Sequence, residues 1–114
     1  MAWYQEHLGI MPEGEDQPSA MFPWRESDNP DRLAYTVWAI FPRETQYFEP
    51  SLSPFMINFR VSDLNSVLKQ LKTEGVKVDD KVEEYDYGKF GWIMDPEGNR
   101  IELWEPKDPR HSQQ

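Results

Sequence analysis

The chemistry available to this chain gathers on alternating positions of two short segments. In Arg100-Ile101-Glu102-Leu103-Trp104, the Arg, Glu and Trp share one side of an extended strand, while Ile101 and Leu103 share the other. In Met56-Ile57-Asn58-Phe59-Arg60, Met56, Asn58 and Arg60 share one side, opposite Phe55, Ile57, Phe59 and Val61. A carboxylate among aromatics on a sheet face has three uses. It binds a metal ion, it serves a ligand as hydrogen-bond acceptor or general base, or it closes an internal pair with a donor such as Arg60. Asn58 and Arg60 offer donors suited to an anionic or carbonyl group, or to that same internal pair. Trp38, Trp92 and Trp104, with Met56 and Met94, suit a flat ligand on an apolar surface, or else core and dimer packing.

Other chemistries lack their parts. His7 sits at the end of a short helix, where a cation complements the dipole, and His111 lies in a polar tail. There is no Ser-His-Asp set, phosphate-cradling glycine loop or spaced histidine pair. The acids Asp79, Asp80, Glu83, Glu84 and Asp86 lack the spacing of a calcium loop and read as a solvated strand edge.

The elements that must position these residues are plainest in the second half. Phe90, Trp92 and Met94 alternate with Gly91 and Ile93 as in a half-buried strand. Asp95-Pro96-Glu97-Gly98-Asn99 then makes a turn, with Pro fixing φ and Gly-Asn accepting positive φ. Leu64, Val67, Leu68 and Leu71 predict a helix over 63–74, capped by Ser62 or Asp63 and closed by Gly75. With strands at 55–61 and 76–82, the order is β-α-β-β-β. The first half reads as the same unit without its front: a helix ending at Gly9, strands at 10–13, 20–26 and 33–41, and a turn at Asp28-Asn29-Pro30-Asp31. One displacement carries Gly9 onto Gly75, Ile10 onto Val76, Pro30 onto Pro96 and Trp38 onto Trp104. The same displacement puts the first unit's opening strand before Met1, which leaves an unpaired sheet edge for another segment or subunit to cover. The expected organisation is a truncated module over 1–41, a linker over 42–54, a second module over 55–106 and a polar tail over 107–114. Tyr47 and Phe48, between the linker prolines, are expected to pack over a domain seam.

Composition narrows the partners. Twelve basic against 21 acidic residues give a net charge of −9, which repels nucleic-acid backbones and anionic membranes. No cysteine means no disulfide framework, thiolate nucleophile or sulfur-ligated metal. No apolar run reaches the length of a membrane span or signal sequence, so a cytoplasmic location is expected.

The paired modules, FMINFRVSDL with its helix, GWIMDPEGNRIELWEP and WYQEHLGI together resemble the vicinal oxygen chelate superfamily. That group takes in glyoxalases, bleomycin-resistance proteins and extradiol dioxygenases. The resemblance implies an α+β fold of two βαβββ modules forming a concave mixed sheet, here with the first module lacking its opening strand. Its metalloenzymes hold a divalent ion through one residue from each of four strands, usually His, Gln or Glu. Carried over, the first position falls in the absent strand, the second near Thr36, the third on Met56 and the fourth on Glu102. Only Glu102 is a hard-metal ligand, since a thioether is soft and a lone hydroxyl binds feebly. The expectation is a homodimeric protein that binds a small aromatic or apolar molecule without a metal. Its contacts are expected from Thr36, Trp38, Met56, Asn58, Arg60, Trp92, Glu102 and Trp104. The alternatives are a divalent-metal-dependent lyase or dioxygenase, with Glu102 as ligand, and an inactive remnant serving as an oligomeric partner.

Overall fold

The computed structural model describes residues 1–14 and 17–107, and these fall in two compact units, Met1–Thr45 and Gln46–Gln114. Of the expected tail, all but Lys107 lies outside the described residues, His111 included.

In the first unit, α1 (Ala2–Leu8) ends at Gly9, whose φ of 68° is left-handed and costs a side-chain-bearing residue strain. β1 (Ser19–Glu26) and β2 (Asn29–Ala39) pair antiparallel, so the turn is the two residues Ser27-Asp28. The expected four-residue turn at Asp28–Asp31 is thus shorter and earlier; Asn29, Pro30 and Asp31 already belong to β2. Pro23 sits in β1, an edge strand of this two-stranded sheet among the described residues, the setting in which strands tolerate proline. The strand expected over 10–13 does not form. Pro12 has no donor to give a ladder, and the Glu13 N–H bonds the Ser19 carbonyl at 2.9 Å instead. Tyr4 meets Trp38 edge to face at 4.5 Å, which ties α1 to β2.

In the second unit, β3 (Ile57–Arg60), α2 (Leu64–Thr73), β4 (Val78–Tyr85), β5 (Gly88–Met94) and β6 (Arg100–Pro106) follow in the β-α-β-β-β order expected. The sheet order is β3-β6-β5-β4, with β3 parallel to β6 and the remaining pairs antiparallel. Helix α2 packs on one face. Asp63 caps it by accepting from the Ser66 N–H at 3.1 Å, and Glu105 on β6 accepts from the Leu64 N–H at 2.8 Å. At its other end Gly75 bonds Lys72 and Val76 bonds Leu71, a Schellman closure. Val76 is consumed there, which is why β4 begins at Val78 and not at residue 76.

The apolar stripe of α2 builds the core. Leu64, Leu68 and Leu103 are buried, with Val61, Val67, Leu71, Val78, Ile93 and Ile101 around them. Gly91 lets the helix approach: a Cβ there would stand 3.0 Å from Leu68 Cδ1. Gly88 has less room still, since a Cβ would lie 2.7 Å from the Glu105 carbonyl oxygen and 3.1 Å from the Trp104 ring. A backbone oxygen in a paired strand does not yield. Gly88→Ala is therefore expected to cost about 1–3 kcal/mol, read as a lower urea midpoint at unchanged slope. A wild-type midpoint would show that the β5–β6 ladder flexes freely.

The sheet's other face is fixed by the register. Asn58 and Trp92 stand directly opposite Glu102 on its two flanking strands, Phe90 and Arg60 oppose Trp104, and Met94 opposes Arg100. Among the described residues, no helix is long and apolar enough to cross a membrane, a statement that does not extend to strands.

Candidate functional site

Glu102 lies in the central strand β6, 8% exposed, with Trp92 beside it at 2%. A buried carboxylate must be satisfied by donors. Three donors reach it. Asn58 Nδ2 donates to Oε1 at 2.6 Å from β3, and Trp92 Nε1 donates to Oε2 at 3.0 Å from β5. The third is the Tyr47 hydroxyl, which donates to the same Oε2 from a segment outside any strand. Where the strand pattern suggested Arg60 as the donor, these neutral groups take the role. The guanidinium next to the network is Arg100. It lies 4.8 Å above the Trp92 ring and 5.7 Å from that of Tyr47, and donates to the Tyr47 carbonyl. It also approaches Met56 Sδ at 3.9 Å and Asp79 at 3.5 Å. Asp79 comes within reach because β4 bulges there, three residues standing against Trp92 alone. A cavity of about 260 Å³ opens between Trp92, Met94 and Arg100 on one side and Pro50, Lys77 and Asp79 on the other.

Of the residues singled out by sequence, Met56, Asn58, Trp92 and Glu102 meet in this network. Trp104 shares the face but stacks on Phe90, 5.6 Å between centroids at 14°, with Arg60 opposite it in register. Thr36 and Trp38 belong to the first unit, where Thr36 accepts from Trp24 Nε1 at 3.0 Å and Trp38 packs on Tyr4. Tyr47 and Arg100 were not among the expected contacts. The parity of Arg100 with Glu102 was readable; Tyr47 has no periodicity to announce it, only its place in the proline-bounded linker.

Burial, and then the Glu102 carboxylate, push the Tyr47 phenol well above its ordinary value, so it stays a donor far into the alkaline range. The linkage has a definite sign. Below the unfolded-chain value near 10 the phenol is protonated in both states and its contribution is whole. As pH rises beyond that value the unfolded chain releases the proton first, and stability falls. Tyr47→Phe is expected to flatten this decline, compared by urea unfolding at pH 8 and above pH 10. Tyr85, raised by its bond to Glu83, adds to the slope in both proteins and cancels in the comparison. Identical slopes would remove Tyr47 from the linkage.

Both Glu102 oxygens already accept hydrogen bonds, the Met56 sulfur faces a guanidinium, and the described residues hold no group of three or more His, Cys, Asp or Glu placed for a metal.

A helix-backed sheet of β-α-β-β-β order, with a side-chain network on the face away from the helix, defines a glyoxalase-like α+β protein. The chain belongs to the Glyoxalase/Bleomycin resistance protein/Dioxygenase superfamily, whose family model matches residues 1–103. No curated protein matches it. Among solved structures, it is similar to an NAD-dependent benzaldehyde dehydrogenase from Legionella pneumophila, at 18% identity and a TM-score of 0.52, over 93% of this chain and 87% of that one. It is also similar to a glyoxalase family protein from Enterococcus faecalis, at 20% and 0.42, over 90% and 83%. A further similar structure is a glyoxalase family protein from Bacillus anthracis, at 22% and 0.43, over 93% and 80%. At 18% identity the likeness to the first of these is one of fold alone.

Proposed function

We propose that the protein binds a small aromatic or apolar molecule on the Trp92–Glu102 face and does so without a metal ion. The observation that carries this reading is the state of Glu102. It is the one carboxylate among the positions that the family's metalloenzymes use, and its oxygens are engaged by Tyr47, Asn58 and Trp92. What remains for a guest is an indole, a guanidinium and thioether side chains beside a half-open pocket of about 260 Å³, lined by Trp92, Met94 and Arg100 and roomy enough for one ring. Homodimerisation is part of the proposal: β3 is an edge strand whose Ile57 and Phe59 are about half exposed, as is Phe55 before it.

Trp92 makes the reading measurable. Titration with single-ring aromatic compounds is expected to quench tryptophan emission saturably, and Trp92→Phe to abolish most of that change. Emission unmoved by a broad panel would count against the proposal. Metal analysis tests the competing metalloenzyme: a stoichiometric ion in purified protein, with melting raised several degrees by Ni, Co, Mn or Zn, would overturn the metal-free reading.

A further inference from the structure

Two of the three donors on Glu102 are built into the sheet, on strands paired to either side of it. The third, Tyr47, comes from the segment between Thr45 and Ile57, which contributes no strand or helix and leaves the residue 36% exposed. The Tyr47 ring meets Trp92 edge-on at 6.3 Å and lies under the Arg100 guanidinium, so an aromatic ring and its hydroxyl already occupy the best-equipped part of the face. The segment is tied to the sheet beyond that hydroxyl, with Arg100 approaching Met56 Sδ at 3.9 Å. Arg100 donates to the Tyr47 carbonyl, and Ser53 Oγ donates to Asn99 Oδ1 at 2.5 Å.

We propose that Tyr47 is an internal occupant of the ligand position, and that the ligands of this site are neutral phenols, or single-ring aromatics with an equivalent N–H or O–H donor, which replace it on Glu102. The inference rests on the pocket reading above and names its ligand class. With Tyr47 withdrawn, the vacated place offers one acceptor lone pair on Glu102 Oε2, the edge of Trp92 and a guanidinium. A ring with a donor satisfies all three. A ring without one leaves a buried acceptor short of a partner, and a carboxylate or phenolate meets the Glu102 charge. The Trp92 N–H is no invitation to an anion either, since its single hydrogen already donates to Glu102. Tyr47 is tethered, so it competes at an effective concentration on the order of millimolar and sets a threshold that a free ligand must exceed.

The test uses p-cresol, the tyrosine side chain cut free, and toluene, the same ring without its hydroxyl. Both are titrated into the ¹⁵N-labelled full chain while the Trp92 indole N–H is followed by NMR. In Tyr47→Ala, p-cresol is expected to bind at least about tenfold more tightly than it binds wild type, and at least about tenfold more tightly than toluene does. Equal affinities of cresol and toluene for Tyr47→Ala would overturn the proposal, as would equal cresol affinities for wild type and variant. Should Tyr47→Ala not fold, Tyr47→Phe decides: it keeps the ring but loses the bond to Glu102, and cresol affinity must rise severalfold over wild type or the proposal fails. The two levels separate cleanly. Quenching of wild-type emission by other aromatics, with cresol indifferent to residue 47, overturns the occupant alone; silence toward every compound in all proteins overturns the pocket reading with it.

Discussion

Glu102→Ala is expected to destabilise the protein by about 3–4 kcal/mol, enough to move a urea midpoint by more than about 1 M. The substitution removes one acceptor and strands three donors, but these do not weigh equally. Asn58 is exposed on an edge strand, so its amide finds solvent, while Tyr47 comes from a loop that can shift to re-pair its hydroxyl. Trp92 is 2% exposed, and its indole N–H loses the Glu102 carboxylate where little water can replace it, leaving only the Tyr47 oxygen nearby. That under-satisfied donor accounts for about 1–3 kcal/mol, with the lost charge-assisted bonds making up the balance. Glu102→Gln keeps one carbonyl oxygen for Trp92 and turns an amide N–H₂ toward another donor, so about half the loss is expected. A change below about 1 kcal/mol in Glu102→Ala would mean that the carboxylate is solvated and the network decorative.

The second large effect lies on the opposite face of the same sheet. Leu64→Ala is expected to cost about 3 kcal/mol, within the range of 2–5 for buried leucines. Leu64 is 0% exposed, and the buried apolar set of this unit beyond it holds Leu68, Leu103 and Trp92. With so few large buried side chains, little can collapse into the space left behind. Total stabilities of about 5–15 kcal/mol make this a substantial share. The consequence reaches the candidate site, because Leu64 begins the helix that seats on Gly91, one residue from Trp92. Thermal and urea unfolding followed by Trp emission would report both losses together. A shift under about 1 kcal/mol would show that the core repacks, and that α2 is not what holds β5 in place.

Much of the second unit could be read from spacing because spacing is its cause. The stripe from Leu64 to Leu71 has one buried face to satisfy, and the alternation in 90–94 and 100–104 decides which side chains oppose Glu102 once the strands pair. Gly9 and Gly75 marked helix ends for a local reason, the left-handed φ each adopts. Boundaries failed where a hydrogen bond elsewhere competed, at Val76 with the helix closure and at Glu13 with Ser19. Family membership, too, was legible, since the turn between Met94 and Arg100 and the strands beside it are short-range patterns.

The partners of Glu102 belong to another kind of information. Residues 47 and 102 are 55 apart in the chain, and no periodicity links a proline-bounded loop to the middle of a strand. Parity places Arg100 and Glu102 on one face; only folding places a phenol against the carboxylate and a guanidinium over the indole. Local sequence therefore determined which face carries the chemistry, because side-chain alternation is a property of one strand. Tertiary structure decided what that chemistry is, because a buried acceptor takes its character from whichever donors the rest of the chain brings to it.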